Sequence, residues 1–402
     1  MIQLKDTKYQ KTSDFLSNAV DIAEYYGFAS IDEIPRAQNA DRRPRTPARA
    51  TDPEILFARR DERALPPIVR RVLTLARPSH GTLLAWRVAD ATNNNPATSL
   101  ELHVMGTNSS IAEALLIVVA NAIMEEAGVG QRTLSINNLG GPESSGRYVR
   151  DVGTYLRKHL DSITPTLRPR AATDPLGTLI QLIERGHPAV SRAPQAMEYL
   201  TEEERHRFWE LLEYLETSGL PYELNSQILG SRDFWSHTLF EMSAVDTDSG
   251  VRMPFALGGR YDPLASRLKR APEHSAMISI AVESRGKNTV KSEEHGIPLI
   301  YFAHLGSEAR RRAIPLLENL RSAAIPVHQG LWYEKIGDQM NAAKDLAVPY
   351  ILILGHKETM EGTVLVREVA TNSQNAVPLD EVAGYLKRRR AVLNPPLQSS
   401  RG

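Results

Sequence analysis

The chain of 402 residues contains no cysteine. Disulfides, thiolate metal sites and cysteine nucleophiles are therefore excluded, and the absence fits a reducing compartment. Net charge is also absent, because 48 Lys and Arg balance 48 Asp and Glu. A polyanion-binding surface can then only be a local patch. Long apolar runs are missing as well. The longest, ALLIVVANAIM at 114–124, is too short to span a bilayer and is interrupted by Asn121. The polar start, MIQLKDTKYQKTSDF, lacks the apolar centre of a signal peptide. These absences predict a cytoplasmic protein with no membrane partner. The histidines are scattered without carboxylates at ligand spacing, so no metal site is expected. No internal repeat is visible.

What is present is ordinary for a soluble globular protein: 42% hydrophobic and 24% charged residues. The length predicts two or three domains and a large core. Residues 13–28 have apolar positions near helical spacing, with Ser13 as N-cap and Gly27 as stop. A strand follows and ends at Pro35, and 36–53 is a Pro/Arg/Ala-rich loop. Strands are expected at 81–90, 99–107, 222–230, 237–246, 253–259 and 275–283, and near 133–140. Helices are expected at 110–128 and 147–160. Residues about 161–215 change to charged helical sequence and read as an insertion. The core is thus an α+β antiparallel sheet with helices over 1–285. Residues 286–296 are polar and aperiodic and read as a linker. Strands and helices then alternate over 297–390, which predicts a small α/β domain, followed by a tail at 391–402.

One loop is too particular for a plain turn. In ALGGRYDPL (256–264) two glycines follow an apolar run. They could cradle a phosphate, or the loop could be a tight hairpin exit with Arg260 and Asp262 paired on the surface.

Together these segments resemble the class II aminoacyl-tRNA synthetases of the histidyl type. The resemblance is carried by the stretch LFEMSAVDTDSGVRMPFALGGRYDPL, by INNLGGPESSGRYVRDVGTYLRKHLD and by PYELNSQILGSRDFWSHTLFE. The C-terminal region resembles the family's anticodon-binding domain through Lys335, Gln339, Ala343, ILG at 353–355, Gly362 and Val366-Arg367. The resemblance covers nearly the whole chain and implies a class II antiparallel core followed by an anticodon-binding domain. It also implies that Gly258, Gly259, Arg260, Tyr261 and Asp262 build a histidine pocket, the glycines letting backbone pass close to the ligand. Glu62, from a partly kept Arg60-Asp61-Glu62, is implied at the α-amino group.

Amino-acid activation joins a carboxylate to the α-phosphate of ATP, and its transition state is stabilised mainly by fixed cations. The resemblance places Arg87 at the second class motif. The charged loop that should follow is TNNNPATS, without charge, and Ser99 and His103 replace an expected Gln and Glu. In the third motif Ala281-Val282-Glu283-Ser284 puts Ser284 where the γ-phosphate arginine belongs, with Arg285 one residue on. The α-phosphate arginine position is Gly230. Arg232 lies two residues later, Asp233 is kept, and Phe234 and Trp235 replace two tyrosines. Arg87 and Arg232 are therefore the candidate catalytic groups, with Arg87, Glu283 and Arg285 for ATP.

Each preorganised cation lost costs about 2.7–4 kcal/mol of transition-state stabilisation. The expectation is a tRNA-binding, synthetase-like protein with weak or absent aminoacylation. A divergent active histidine–tRNA ligase, with Arg232 and Arg285 in the lost roles, is the alternative, and an amino-acid-sensing regulatory subunit is a further one. ATP with Mg²⁺ is the implied cofactor if the protein is active, and none otherwise. The expected partners are tRNA, a second copy of the chain paired through 13–35 (with Leu16, Val20, Ile22 and Phe28), and histidine as small molecule. Arg310, Arg311, Lys335, Gln339 and Arg388 are the candidate tRNA contacts, within the basic runs Arg310–Arg312 and Lys387–Arg390.

Overall fold

A computed structural model describes residues 1–37, 65–91, 97–284, 290 and 298–393. Arg60, Glu62 and Arg285 lie outside the described residues. So do most of the loop at 36–53, residues 92–96 of the uncharged loop and most of the linker. The chain divides into two compact units: Met1–Val20, Phe28–Leu215 and Leu220–Val290 form one, and Asp21–Gly27, Glu216–Gly219 and Lys291–Gly402 the other.

The first unit is built on an eight-stranded sheet ordered β1-β2-β3-β8-β7-β6-β4-β5. The strands are β1 (Ala29–Ser30), β2 (Leu83–Ala89), β3 (Ala97–Met105), β4 (Thr133–Asn138), β5 (Tyr222–Leu224), β6 (Ser236–Val245), β7 (Arg252–Arg260) and β8 (Ser275–Glu283). Pairing from β2 to β4 is antiparallel throughout, and only the two edge strands, β1 and β5, run parallel to their neighbours. Every position of β3 is buried, which requires cover on both faces. The helix Ile111–Glu126 supplies part of that core. All its residues from Ile111 to Ala120 are buried, as expected of a helix apolar all round. Its one early acid, Glu113, is buried with the rest.

Several boundaries differ from expectation. The strand expected at 222–230 ends at Leu224, because Asn225 starts a turn: its side-chain oxygen accepts from Gln227 N at 3.0 Å. The strand expected before Pro35 is two residues long. An unanticipated helix, Leu65–Val72, tolerates Pro66 and Pro67 in its first turn, where no amide hydrogen bond is lost. The insertion is helical, with helices Arg168–Thr173, Pro175–Glu184 and Glu202–Thr217. Leu16, Val20 and Phe28 are buried within the single chain. An intramolecular core accounts for them without a second copy.

The second unit holds a five-stranded sheet ordered β10-β9-β11-β12-β13. Here β9 is Ile300–His304, β10 His328–Gln329, β11 Tyr350–Leu354, β12 Thr363–Glu368 and β13 Gln374–Pro378. The first three are parallel and the last two antiparallel. From β9 the chain crosses through helix Ser307–Ser322 to β10 on one side. It then crosses through helix Ile336–Asp345 to β11 on the other. Strand order reverses at β9, so a crevice is expected at the carboxyl ends of these strands. β13 and the short helix His356–Glu361 were not anticipated. The helix carries its own signals, with Gly355 accepting the capping role, Glu358 reaching back to the Gly355 amide and Gly362 at φ 67° closing it.

Candidate active site

The ALGGRYDPL loop is the end of β7 and the start of helix Asp262–Lys269. The two glycines are required by packing inside the sheet. A Cβ at Gly258 would overlap the Phe240 ring and stand 2.5 Å from Met277 O; one at Gly259 would stand 2.6 Å from Leu239 Cδ2 and from Thr238 O. The neighbouring strands β6 and β8 exclude side chains here. The close approach is to the protein itself, so packing within the sheet is sufficient to require both glycines.

Arg260 has no exposed surface. Its Nε donates to Glu113 Oε1 at 3.0 Å, and its terminal nitrogens donate to Thr107 O at 3.1 and 2.9 Å. Asp262 Oδ1 lies 3.5 Å from Arg260 Nη1. The surface pairing of Arg260 with Asp262 is therefore replaced by a buried network. The insertion joins it: Arg207, on helix Glu202–Thr217, donates to the same Glu113 oxygen at 2.9 Å. One carboxylate thus holds two guanidinium groups. Asp262 accepts from Ser275 N at 2.7 Å and meets His274 Nδ1 at 3.2 Å. Burial opposes its ionisation, but the His274 contact, the Arg260 charge and the Ser275 amide outweigh it and hold its carboxyl below the usual range.

A second polar line runs across β2 and β3. Arg87 Nε donates to Glu101 Oε2 at 2.9 Å, from the position directly opposite in the ladder. Glu101 Oε2 lies 3.8 Å from His103 Nε2. His103 Nδ1 meets the Tyr261 hydroxyl at 3.1 Å. His103 and Tyr261 are both fully buried, and Tyr261 packs with Val69, Phe234, Leu264 and Met277. Burial pushes the Tyr261 phenol up. His103 Nε2 is left without a hydrogen-bond partner, and Arg87 is tied to this line through its Nε.

The remaining expected residues are not gathered at this network. Arg232 and Asp233 are exposed on a turn. At Gly230 a Cβ would overlap the Trp235 indole, so the side chain that replaces a tyrosine also fills the space of the missing arginine. Glu283 ends β8, where its backbone carbonyl accepts from Thr12 Oγ1 at 3.2 Å. Ser284 is buried.

Three further residues belong to the site and were not singled out from the sequence. Glu113 had a signal, since a lone acid in an apolar helix requires a partner. Glu204 occupies the amino end of helix Pro142–Lys158, accepting from Gly141 N and Ser144 Oγ at 2.6 Å each and from Thr201 N at 2.8 Å. His237 sits in β6 at an interruption of the β6–β7 register, with φ at 50°. That conformation is rare for a residue with a side chain. Burial, then the Arg207 charge, lower its pKa to about 4, and Asp262, Arg260 and Glu204 also act on it.

In the second unit, the basic runs separate. Arg311 and Arg312 both pair with Glu308, at 2.7 and 3.5 Å. Arg310 does not. Lys335 is exposed at the N-cap of helix Ile336–Asp345. Gln339 is fully buried; its amide accepts from His304 N and donates to His304 O, both at 2.9 Å. It ties the helix to β9 and is not presented to a nucleotide, a correction to its expected role. Lys387 and Arg388 are exposed, while Arg389 lies 5.5 Å from the Tyr385 ring centre. Among the described residues no helix is long and apolar enough to cross a membrane.

Comparison with known proteins matches residues 299–389 to the family of anticodon binding domains. The chain is 28% identical over 295 residues to the histidine–tRNA ligase of Geobacillus sp. (strain WCH70), covering 72% of this chain and 69% of that one. It is 27% identical over 302 residues to the histidine–tRNA ligase of Symbiobacterium thermophilum, covering 73% and 68%. Among solved structures, a histidyl-tRNA synthetase from S. aureus matches 93% of this chain and 95% of that one, with 18% identity and a TM-score of 0.47. Residues 299–389 thus belong to an anticodon binding domain, and the chain as a whole is similar to histidine–tRNA ligases, the histidyl type of class II aminoacyl-tRNA synthetase.

Proposed function

We propose that the protein is a synthetase-like, tRNA-binding member of its family with weak or absent aminoacylation activity. Its core would be 1–285, joined by 286–296 to an RNA-binding domain at 297–390. The observation that carries the reading is the enclosure of Arg260. Its guanidinium has no exposed surface and is engaged by Glu113 and Thr107. Arg87, which is partly exposed, is paired with Glu101 through its Nε. A triphosphate gripped by arginines needs guanidinium groups free to turn toward it. Ser284 and Gly230 stand where two such groups are expected, so no ATP or Mg²⁺ step is derived. The carboxyl-terminal match to anticodon binding domains supports tRNA as partner. A cytoplasmic location and a homodimer belong to the same reading.

A second reading is favoured by the names of the relatives, which are histidine–tRNA ligases. It makes the chain a divergent active ligase that uses Arg232, exposed on its turn, together with Arg285. Pyrophosphate exchange with each amino acid separates the two. Exchange with histidine at rates within about a hundredfold of an ordinary synthetase refutes the first reading. Exchange at least about ten thousandfold slower, with tRNA still bound, supports it.

A further inference from the structure

The carboxyl end of β9 carries a set of polar groups that are poorly partnered among the described residues. β9 ends at His304, which is 3% exposed; neither ring nitrogen makes a well-aligned hydrogen bond, and the Leu331 and Gly330 backbone offers only weak contacts to the ring. Leu305, Gly306 and Ser307 follow and are exposed. Gly306, at φ 90°, is the N-cap of the 16-residue helix Ser307–Ser322, and no side chain caps it. The first amides of that helix therefore face outward without a side-chain acceptor.

Arg310 stands in the same turn. It shares a helical stripe with Ala313, Ile314 and Leu317, all buried, so its stem is turned toward the sheet. Its Nε is enclosed and has no partner. Among the described residues, no acid or carbonyl is bound by its guanidinium. The nearest acid in sequence, Glu308, is turned to Arg311 and Arg312. The ring of His304 lies against the Gly330–Leu331 backbone, and Arg310 is close enough to add to the effect of burial in lowering its basicity. Trp332, in the same loop, also has a buried Nε1 without partner. The set is rich in donors and poor in acceptors. It lies where strand order reverses, at the expected crevice of such a sheet.

We propose that Arg310, the uncapped amino end of helix Ser307–Ser322 and the imidazole of His304 form a binding site for one phosphate group. The guanidinium and the helix amides hold the anion, and the neutral imidazole donates its single N–H. The phosphate comes from an RNA backbone or from free phosphate. Only the choice of RNA as source rests on the function proposed above.

The test uses the full-length protein. Inorganic phosphate is titrated by calorimetry, and tRNA binding is measured between 50 and 200 mM salt. Both are repeated with Arg310→Gln and with Arg312→Gln, whose arginine is paired with Glu308. Thermal melts check folding, and Arg310→Met replaces Arg310→Gln if the latter does not fold. The expected result is at least a tenfold loss of phosphate affinity in Arg310→Gln and less than a twofold change in Arg312→Gln. The slope of log K against log salt for tRNA should fall by about 0.7–0.9 in Arg310→Gln. Phosphate binding that depends on Arg310, without any tRNA binding, supports the site and ends the RNA reading. tRNA binding whose affinity and slope ignore Arg310, with phosphate binding absent or unchanged in the variant, overturns the site and leaves the RNA reading intact.

Discussion

Arg260 and Arg310 are both arginines with enclosed stems at the end of a strand and the start of a helix. Arg260 is saturated by Glu113, Thr107 and Asp262. Arg310 has an enclosed Nε without a partner among the described residues. Burial is common to both, so burial does not distinguish a scaffold cation from a binding cation. The acceptors around it do. In the first unit the acceptors come from the chain; in the second they must come from elsewhere.

The sharpest way to break this contrast is to remove the acceptor shared by two arginines. Glu113→Ala leaves Arg260 and Arg207 without their common carboxylate, and urea unfolding should show a loss of about 3–5 kcal/mol. Arg310→Ala should cost about 1 kcal/mol, since it loses the packing of the stem but breaks no pair. A comparable loss in both variants would erase the distinction.

The next effect is set by pH and touches each unit through one histidine. His237 and His304 both have pKa values lowered to about 4, chiefly by burial and then by Arg207 and Arg310 respectively. A histidine buried neutral binds its proton more readily when unfolded. Stability is therefore full above pH 6.5 and falls as the pH drops from there toward 4. His304 should contribute up to about 3 kcal/mol to that loss, and His237, which is partly exposed, less. Unfolding of His304→Asn should show a shallower acid dependence than the parent. An unchanged slope would mean that His304 does not titrate in this range.

A smaller effect is expected at Gly230. A methyl group there meets Trp235, and Gly230→Ala should cost about 1–3 kcal/mol in thermal unfolding. For the same reason Gly230→Arg with Ser284→Arg should not restore pyrophosphate exchange. Restored exchange would show that Trp235 yields. The smallest effect is at Arg311, paired with Glu308 on the helix surface. Arg311→Ala should lower stability by about 0.3–0.5 kcal/mol, and a larger change would point to contacts beyond the pair.

Local patterns in the sequence carried most of the framework. The apolar helix Ile111–Glu126, the strands β2, β3, β6, β7 and β8, and the alternation in the second unit follow from periodicity, which is a short-range property. The network around Arg260 was not legible. Glu113 lies 147 residues before Arg260, and Glu204 and Arg207 arrive on a helix of the insertion. Nothing local links them. His237 occupies a backbone conformation that its residue type disfavours, so propensity points away from it. At Lys335 and Gln339 helical spacing misled in a different way. Lys335 is the N-cap, and Gln339 satisfies the His304 backbone, so the pair shares no exposed face.

The packing of Gly258 and Gly259 bears on how such a motif survives through descent. Phe240, Leu239 and the carbonyls of Thr238 and Met277 leave no room for a side chain at either position. Selection for folding alone would retain both glycines in a lineage that had given up amino-acid activation. The presence of the two glycines in such a signature is therefore no measure of catalytic constraint.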